Sequence, residues 1–505
     1  MKAKKNLFLT AFAVLTLVSC GGQTPAKSSD VPYTPDLPEM DAETALRYSA
    51  ELLIEDAEEI RGNIYLPTEL DGAEITWHST DRSVITDKEE DGKAPGIVTR
   101  EDDDVEVRLT ATVVKDGAYC QVYQDVNVLG TYGAPTEDDY CGYLLVTFTG
   151  EGSANGEQVY MSLADQGDGF KFKALKNNQP ILQSIASEKG VRDPFVYRSP
   201  EGDRFFIIAT DLKVNNRPSG GWSNTPKGYT YPTVNGTHTL ILWETTTLED
   251  WGEPTYIPVA DGILNEAYPN GGAGMAWAPE MTYHEETGDY VIFWSSCYID
   301  DLTLPDNEKT KVKGDAVYRT TTRDFVHFTE PKLFIDNQLN ENGTPRNIID
   351  ASCRKIGDHY YSLTKDGDNG DREGGILIMR SDDILDVEAW EKVADLDEIG
   401  LPTTGQRVNA YNNQTLEGPE FFAFNKCDWK DEDTPEWCVM GDMYQSGAGY
   451  LPFATTNIED PTTDSWRVLA SDEYDLSNGG QSHGSVLQLT ADEIDCIKNA
   501  DIYKA

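Results

Sequence analysis

Three acidic residues stand where hydrolytic chemistry would need them. Asp193 in Val191-Arg192-Asp193-Pro194-Phe195-Val196, Asp350 in Ile349-Asp350-Ala351-Ser352 and Glu417 in Leu416-Glu417-Gly418-Pro419 each open a short apolar run of strand-forming residues. Strands whose starting ends converge on one cavity would bring these three carboxylates together. Such a set can break an acetal, with a protonated carboxyl beside the leaving oxygen and an ionised one behind a water. The two must differ in proton affinity, and a third carboxylate close to the acid raises its pKa by like-charge repulsion. Singly each motif is weak, because Asp-Pro is a common turn dipeptide and an aspartate at a strand start is often a cap. Their joint occurrence is the signal. Glu280, in Trp277-Ala278-Pro279-Glu280, and His483, in Ser482-His483-Gly484-Ser485, open two further runs of the same kind. Glu280 is expected in the cavity wall or on a substrate hydroxyl, with a structural role as the alternative.

The elements that must position these residues repeat along the chain. One unit comprises the runs 191–196, 205–210 and 240–245 and closes at 251–254. The next comprises 277–283, 290–294 and 316–322 and closes at 328–331. A third contains 349–352, 360–363 and 376–381, and a fourth 417–422, 438–440 and 451–456. Four short strands per unit make a propeller blade. Runs 144–148 and 159–163 at the start and 484–489 at the end are left over. Together they supply one more blade, closed by both ends of the chain, which removes the free sheet edges. The expected fold is therefore all-β, a five-bladed β-propeller over 136–505.

With an Asp-Pro, an Ile-Asp and a Glu-Gly-Pro opening three inner strands, residues 141–505 resemble glycoside hydrolase family 43. The resemblance implies Asp193 as general base, Asp350 as the residue that tunes the acid, and Glu417 as general acid. It further implies substrate contacts from Trp277, Arg192 and Glu280, and no required cofactor. His483 would lie on the axis by a water-coordinated calcium ion, with a satisfied buried histidine as the alternative. Arg192-Asp193-Pro194 also resembles an element of the fructan-cleaving propellers, but their Asn-Asp-Pro and Glu-Cys partners are missing. Ala351 stands where the family's second motif usually has proline. The activity implied is that of an inverting exo-glycosidase on plant-type glycans, with α-L-arabinofuranose the first expectation and β-D-xylose the second. A glycan-binding propeller without activity is the rival from another class. Asp-box repeats, Trp-Asp blade endings, phosphate loops and dinucleotide fingerprints are lacking.

Ahead of this region, short alternating segments at 64–67, 73–79, 84–85, 97–100, 105–113 and 123–128 predict a small β-sandwich over 41–130. The runs 75–81 and 107–113 resemble bacterial immunoglobulin-like spacer domains, in which Trp77 is a core residue. Residues 41–56 form either one amphipathic helix or an extended lead-in. The chain begins with Lys2, Lys4 and Lys5, an apolar run at 8–18 and Leu17-Val18-Ser19-Cys20. That pattern resembles a bacterial lipobox, with a signal peptide over 1–19 and acylation of Cys20. A Gly-, Pro- and Ser-rich tether follows over 20–40. The expectation is a monomer, lipid-anchored to a bacterial membrane in the cell envelope. A net charge of −47 over 505 residues excludes nucleic acid as a partner and would not repel a neutral glycan. Of eight cysteines, seven remain after Cys20, none spaced for zinc, and Cys427 with Cys438 is the best candidate bridge.

Overall fold

The computed structural model describes residues 31–153, 155–215, 217, 221–336, 347–367, 375–399, 416–431, 433–444, 449–460, 462–477 and 481–505. The signal segment and Cys20 lie outside the described residues. The chain divides into two compact units, one running through Tyr132 and including Glu286–Gly288, the other Gly133–Glu285 with Asp289–Ala505.

In the first unit, the helix Ala42–Glu51 resolves the two readings of residues 41–56. Asp41 caps it, its carboxylate accepting from the Thr44 amide at 3.0 Å. An antiparallel sheet follows in the order Glu69–Leu70, Ala73–Ser79, Val105–Lys115, Ala118–Val128. The long hairpin turns on Asp116-Gly117, both at positive φ (51° and 76°), as a two-residue loop between twisted strands demands. The sandwich is lopsided. Segments 64–67, 84–85 and 97–100 were expected as strands, but only an isolated Ile85–Val98 bridge forms there. Their apolar side chains (Ile64, Leu66, Val84, Ile85) still cover the sheet and complete its core. Trp77 is buried in that core, its indole N–H donating to the Pro67 carbonyl at 2.9 Å.

The second unit is the five-bladed propeller. Blade 1 has strands Val191–Arg198, Phe205–Asp211, Thr239–Thr245 and Thr255–Pro258, and blade 2 has Trp277–His284, Asp289–Ile299, Lys311–Thr322 and Lys332–Ile335. Blade 3 has Asn347–Ile356, His359–Gly367, Ile376–Ser381 and Glu391–Asp395, and blade 4 has Glu417–Ala423, Trp437–Asp442, Tyr450–Thr455 and Trp466–Val468. In the closing blade the last strand of the chain, Gln481–Thr490, is innermost and pairs with Tyr140–Thr149, followed by Tyr160–Ala164 and Lys173–Ala174. The five inner strands pack on one another in a closed ring. The closure is fastened outside the sheet as well. Arg198 of blade 1 donates to Gln488 O at 2.8 Å and ion-pairs with Glu493, which also completes the capping box of the C-terminal helix Ala491–Asn499. Trp251 donates to the Tyr503 hydroxyl at 2.9 Å.

The expected Cys427–Cys438 bridge does not form, and all seven described cysteines are free. Cys438 faces the interior of its strand, while Cys427 is exposed on the short turn Lys426–Asp428. An acidic loop between strands brings its flanks near each other without aiming both side chains at one another.

Candidate active site

Each inner strand is interrupted near its start by the same irregularity. Where it pairs with the second strand of its blade, two residues face one: Asp193-Pro194, Ala278-Pro279, Asp350-Ala351, Gly418-Pro419 and His483-Gly484. These are β-bulges, which bend a strand and re-aim its side chains. Four of the bulge residues adopt left-handed backbone, with φ of 49° at Asp193, 46° at Ala278, 52° at Asp350 and 52° at Gly418. Aspartate tolerates this conformation better than most residues, so the two acids suit their bulges. Position 418 accepts only glycine, since a Cβ there would lie 2.5–2.9 Å from the His483 ring. The shared register puts Asp193, Asp350 and His483 at equivalent positions around the axis, with Glu417 one residue before its own bulge.

Asp193 is held by two donors. The Thr210 hydroxyl donates to Oδ2 at 2.8 Å, and His483 Nδ1 lies 3.4 Å from Oδ1. Burial alone would raise its pKa, but the hydrogen bond and charge of His483, with Arg192 and Thr210, bring it below the ordinary 3.8. Asp350 goes the other way. Burial and the Glu417 and Asp193 charges outweigh the nearby cations His483 and Lys365 and push it up to about 6. Its Oδ2 accepts from the Gly418 amide at 3.2 Å, which ties it to the strand that carries Glu417. Glu417 Oε2 receives the Lys365 ammonium at 2.7 Å. The three carboxylates therefore share one electrostatic environment with three different sets of partners.

Arg192, next to Asp193, is clamped. Its guanidinium lies 4.7 Å from the Phe148 ring centroid and 5.2 Å from that of Trp222, and Nη2 donates to Glu151 at 3.1 Å. Trp222 in turn meets Trp277 edge to face at 5.9 Å. Arg192 and Trp277 thus belong to one partly exposed aromatic and cationic surface beside Asp193.

Glu280, expected either in the cavity wall or in a structural role, is buried and ion-paired. It directly follows its bulge, further along the strand than the acids at the strand starts, and is 3% exposed. Arg354 bridges Glu280 and the equivalent Glu420 at 3.3 Å each, its guanidinium resting on Phe195 at 4.9 Å. Burial first, then mutual repulsion, raises the Glu280 carboxyl; burial likewise raises that of Glu420.

His483 is paired with Asp193. Burial opposes its charge, but the hydrogen bond and charge of Asp193, with Asp350 and Glu280, push its pKa up to about 10. Among the described residues no three His, Cys, Asp or Glu side chains are grouped to hold an ion.

Sequence reading missed three residues here. Trp222 sits in the loop following blade 1's second strand, where no periodicity marks it. Lys365 is a charge within the apolar run Tyr360–Leu363 and its extension, and Asp442 ends the apolar run 438–440. Charges at the axial ends of second strands were the available signal. Asp442 is 2% exposed, accepts from the His483 amide at 3.2 Å, and is pushed up to about 7 by burial and then by Glu417.

Residues 138–495 match a family model related to glycoside hydrolase family 43 and described as a probable glycosyl hydrolase domain. The chain belongs to this family. Residues 41–131 match the atrophied bacterial Ig domain, in keeping with its one regular sheet. An α-L-arabinofuranosidase of Bifidobacterium longum subsp. longum is 32% identical over 415 residues, which cover 77% of this chain and 36% of that relative. The chain therefore spans little more than a third of the curated relative it matches. Similar solved structures include an α-L-arabinofuranosidase from Lactobacillus brevis (14% identity, 55% of this chain, 71% of that one, TM-score 0.33). An exo-β-1,3-galactanase from Clostridium thermocellum is another (13%, 77% and 66%, TM-score 0.38). Likeness at that level bears on neither substrate nor residue roles.

Proposed function

We propose that this family 43-related glycosidase removes terminal α-L-arabinofuranosyl groups from plant-type glycans with inversion at the anomeric carbon. The observation that carries the reading is the convergence of Asp193, Asp350 and Glu417 on one end of the propeller axis, each with different partners. Asp193, kept ionised, is suited to take a proton from water as that water attacks the anomeric carbon. Glu417 gives its proton to the departing oxygen as the glycosidic bond breaks, and Asp350, bonded to the Gly418 amide beside it, is the neighbouring carboxyl that tunes this step. Arg192, Trp222 and Trp277 form a surface on which a sugar ring can stack and donate hydroxyls. The choice of arabinofuranose rests on the named activity of the Bifidobacterium relative. β-D-Xylose is the second reading.

A panel of nitrophenyl glycosides tests the sugar, and arabinofuranoside turnover at least tenfold above all others is the expected result. Proton NMR of the first product should show the inverted anomer; a retained anomer would overturn the role of Asp193 as base. The lipobox supports anchoring through Cys20 in the cell envelope, and Cys20→Ala should then move the protein from the membrane fraction to the soluble one.

A further inference from the structure

Lys365 is a partly buried cation with no part in the proposed mechanism. It stands at the axial end of the second strand of blade 3, its side chain 13% exposed. Among the described residues its ammonium meets Glu417 Oε2 at 2.7 Å and the face of Tyr444 at 4.4 Å from the ring centroid. Burial works against the charge, but Glu417, Asp350 and Tyr444 more than restore it, so the lysine stays protonated. The charged groups facing Glu417 come from every neighbouring strand. They are Lys365 and Asp350 from blade 3 and Asp442 from blade 4, with His483 of the closing blade packed on Gly418. Among them Lys365 is the one cation bonded to the Glu417 carboxyl.

We propose that Lys365 is a positioning residue for Glu417, fixing one carboxyl oxygen and receiving the negative charge that Glu417 acquires when its proton leaves. The inference rests on Glu417 being the general acid. In that step the proton passes from Glu417 to the glycosidic oxygen, the bond to the anomeric carbon breaks with its electron pair moving to that oxygen, and Glu417 is left as a carboxylate. Water supplies the new bond to the anomeric carbon and its proton goes to Asp193, so atoms and charge balance. An ammonium at hydrogen-bond distance stabilises the carboxylate formed. The adjacent anions Asp350 and Asp442 act in the opposite sense.

The test is the pH profile of kcat for Lys365→Met on an arabinofuranosyl disaccharide, beside Lys365→Arg. Removing the cation should move the alkaline limb upward by about one unit or more, the shift expected from losing an opposite charge at this distance. It should also lower kcat about tenfold on the disaccharide and less on a nitrophenyl glycoside, whose departure needs little acid assistance. Lys365→Arg should keep the limb near its original place. If Lys365→Met does not fold, Lys365→Gln carries the same comparison, because the amide retains a hydrogen bond without charge. An unmoved alkaline limb in the charge-free variant, or an equal loss on both substrates, overturns the inference. The underlying reading fails separately. If Glu417→Gln loses as much on the nitrophenyl glycoside as on the disaccharide, Glu417 is not the acid, whatever Lys365 does.

Discussion

Glu417 and Glu280 make the instructive pair. Both lie in a Pro-containing segment that opens an inner strand, in Glu417-Gly418-Pro419-Glu420 and Trp277-Ala278-Pro279-Glu280. Aligned on their bulges, Glu417 corresponds to Trp277, and Glu280 to Glu420. Three positions along a strand separate two environments. In the outer layer, Glu417, Asp193 and Asp350 keep partial access to solvent and are surrounded by unlike partners. In the deeper layer Glu280 and Glu420 are sealed and share one guanidinium, Arg354. On the proposed mechanism a carboxylate in the first layer can exchange a proton with substrate or water, and one in the second ties inner strands together. The bulge decides between them, because an extra residue changes which side chains reach the opening.

The largest effects should come from the outer layer. Asp193→Asn preserves a side chain that accepts left-handed backbone, so its consequence is chemical. We expect about a hundredfold to ten-thousandfold loss of kcat, equal on a disaccharide and on a nitrophenyl arabinofuranoside, because water must be activated whatever departs. Glu417→Gln should lose as much on the disaccharide but far less on the aryl substrate. Steady-state kinetics on the two substrates separate the roles, and an inverted pattern would exchange them. Glu280→Gln, by contrast, should leave kcat/KM within a few fold at a pH where it is folded.

The deeper layer should show itself in stability. Arg354→Met leaves two buried carboxyls without their shared cation, which costs on the order of 3–5 kcal/mol when one partner of a buried ion pair is removed. The control is Arg108–Asp125 in the N-terminal unit, a bidentate pair with contacts of 2.6 and 2.7 Å whose side chains are more than half exposed. Arg108→Ala should cost roughly 0–1 kcal/mol, since exposed pairs gain little. Urea unfolding of both variants checks the contrast, and comparable losses would mean that the axial triad does not tie the inner strands together.

Much of this was legible in the sequence, for a physical reason. Strand alternation, turn residues and the repeat of four strands report local backbone geometry, and the propeller with its closing blade follows from them. Asp193, Asp350 and Glu417 were legible because they stand at strand starts, where a propeller turns its side chains to the axis. The layer of Glu280 was not, because bulge register is a property of pairing between strands and has no local signature. Nor were Lys365, Asp442 and Trp222, which come from second strands and a loop and matter only through what they meet. In the N-terminal unit the apolar residues of the second layer were identified correctly, yet their segments lack the pairing that would make them strands.

The smallest and most specific prediction distinguishes the layers by pH. Burial and the repulsion of Glu420 push the Glu280 carboxyl up to about 8, from an ordinary value of 4.5. The folded chain therefore holds this proton more tightly than the unfolded chain does. Between those two values the native state binds more protons, so unfolding free energy falls as pH rises. The stabilisation is complete below the unfolded pKa and is lost as pH passes through the folded one. Glu280→Gln removes this titration while keeping a group that can accept from Arg354. Because 87 other acidic residues titrate in both proteins (88 Asp and Glu less this one), the quantity to measure is the difference in unfolding free energy between them. The wild-type chain should lose ground steadily to Glu280→Gln from pH 5 toward about pH 8, by on the order of 1–3 kcal/mol after relaxation of the triad. Parallel stability curves would show that Arg354 keeps Glu280 ionised throughout, and the deeper layer would then be a conventional buried ion pair of Arg354 with either glutamate.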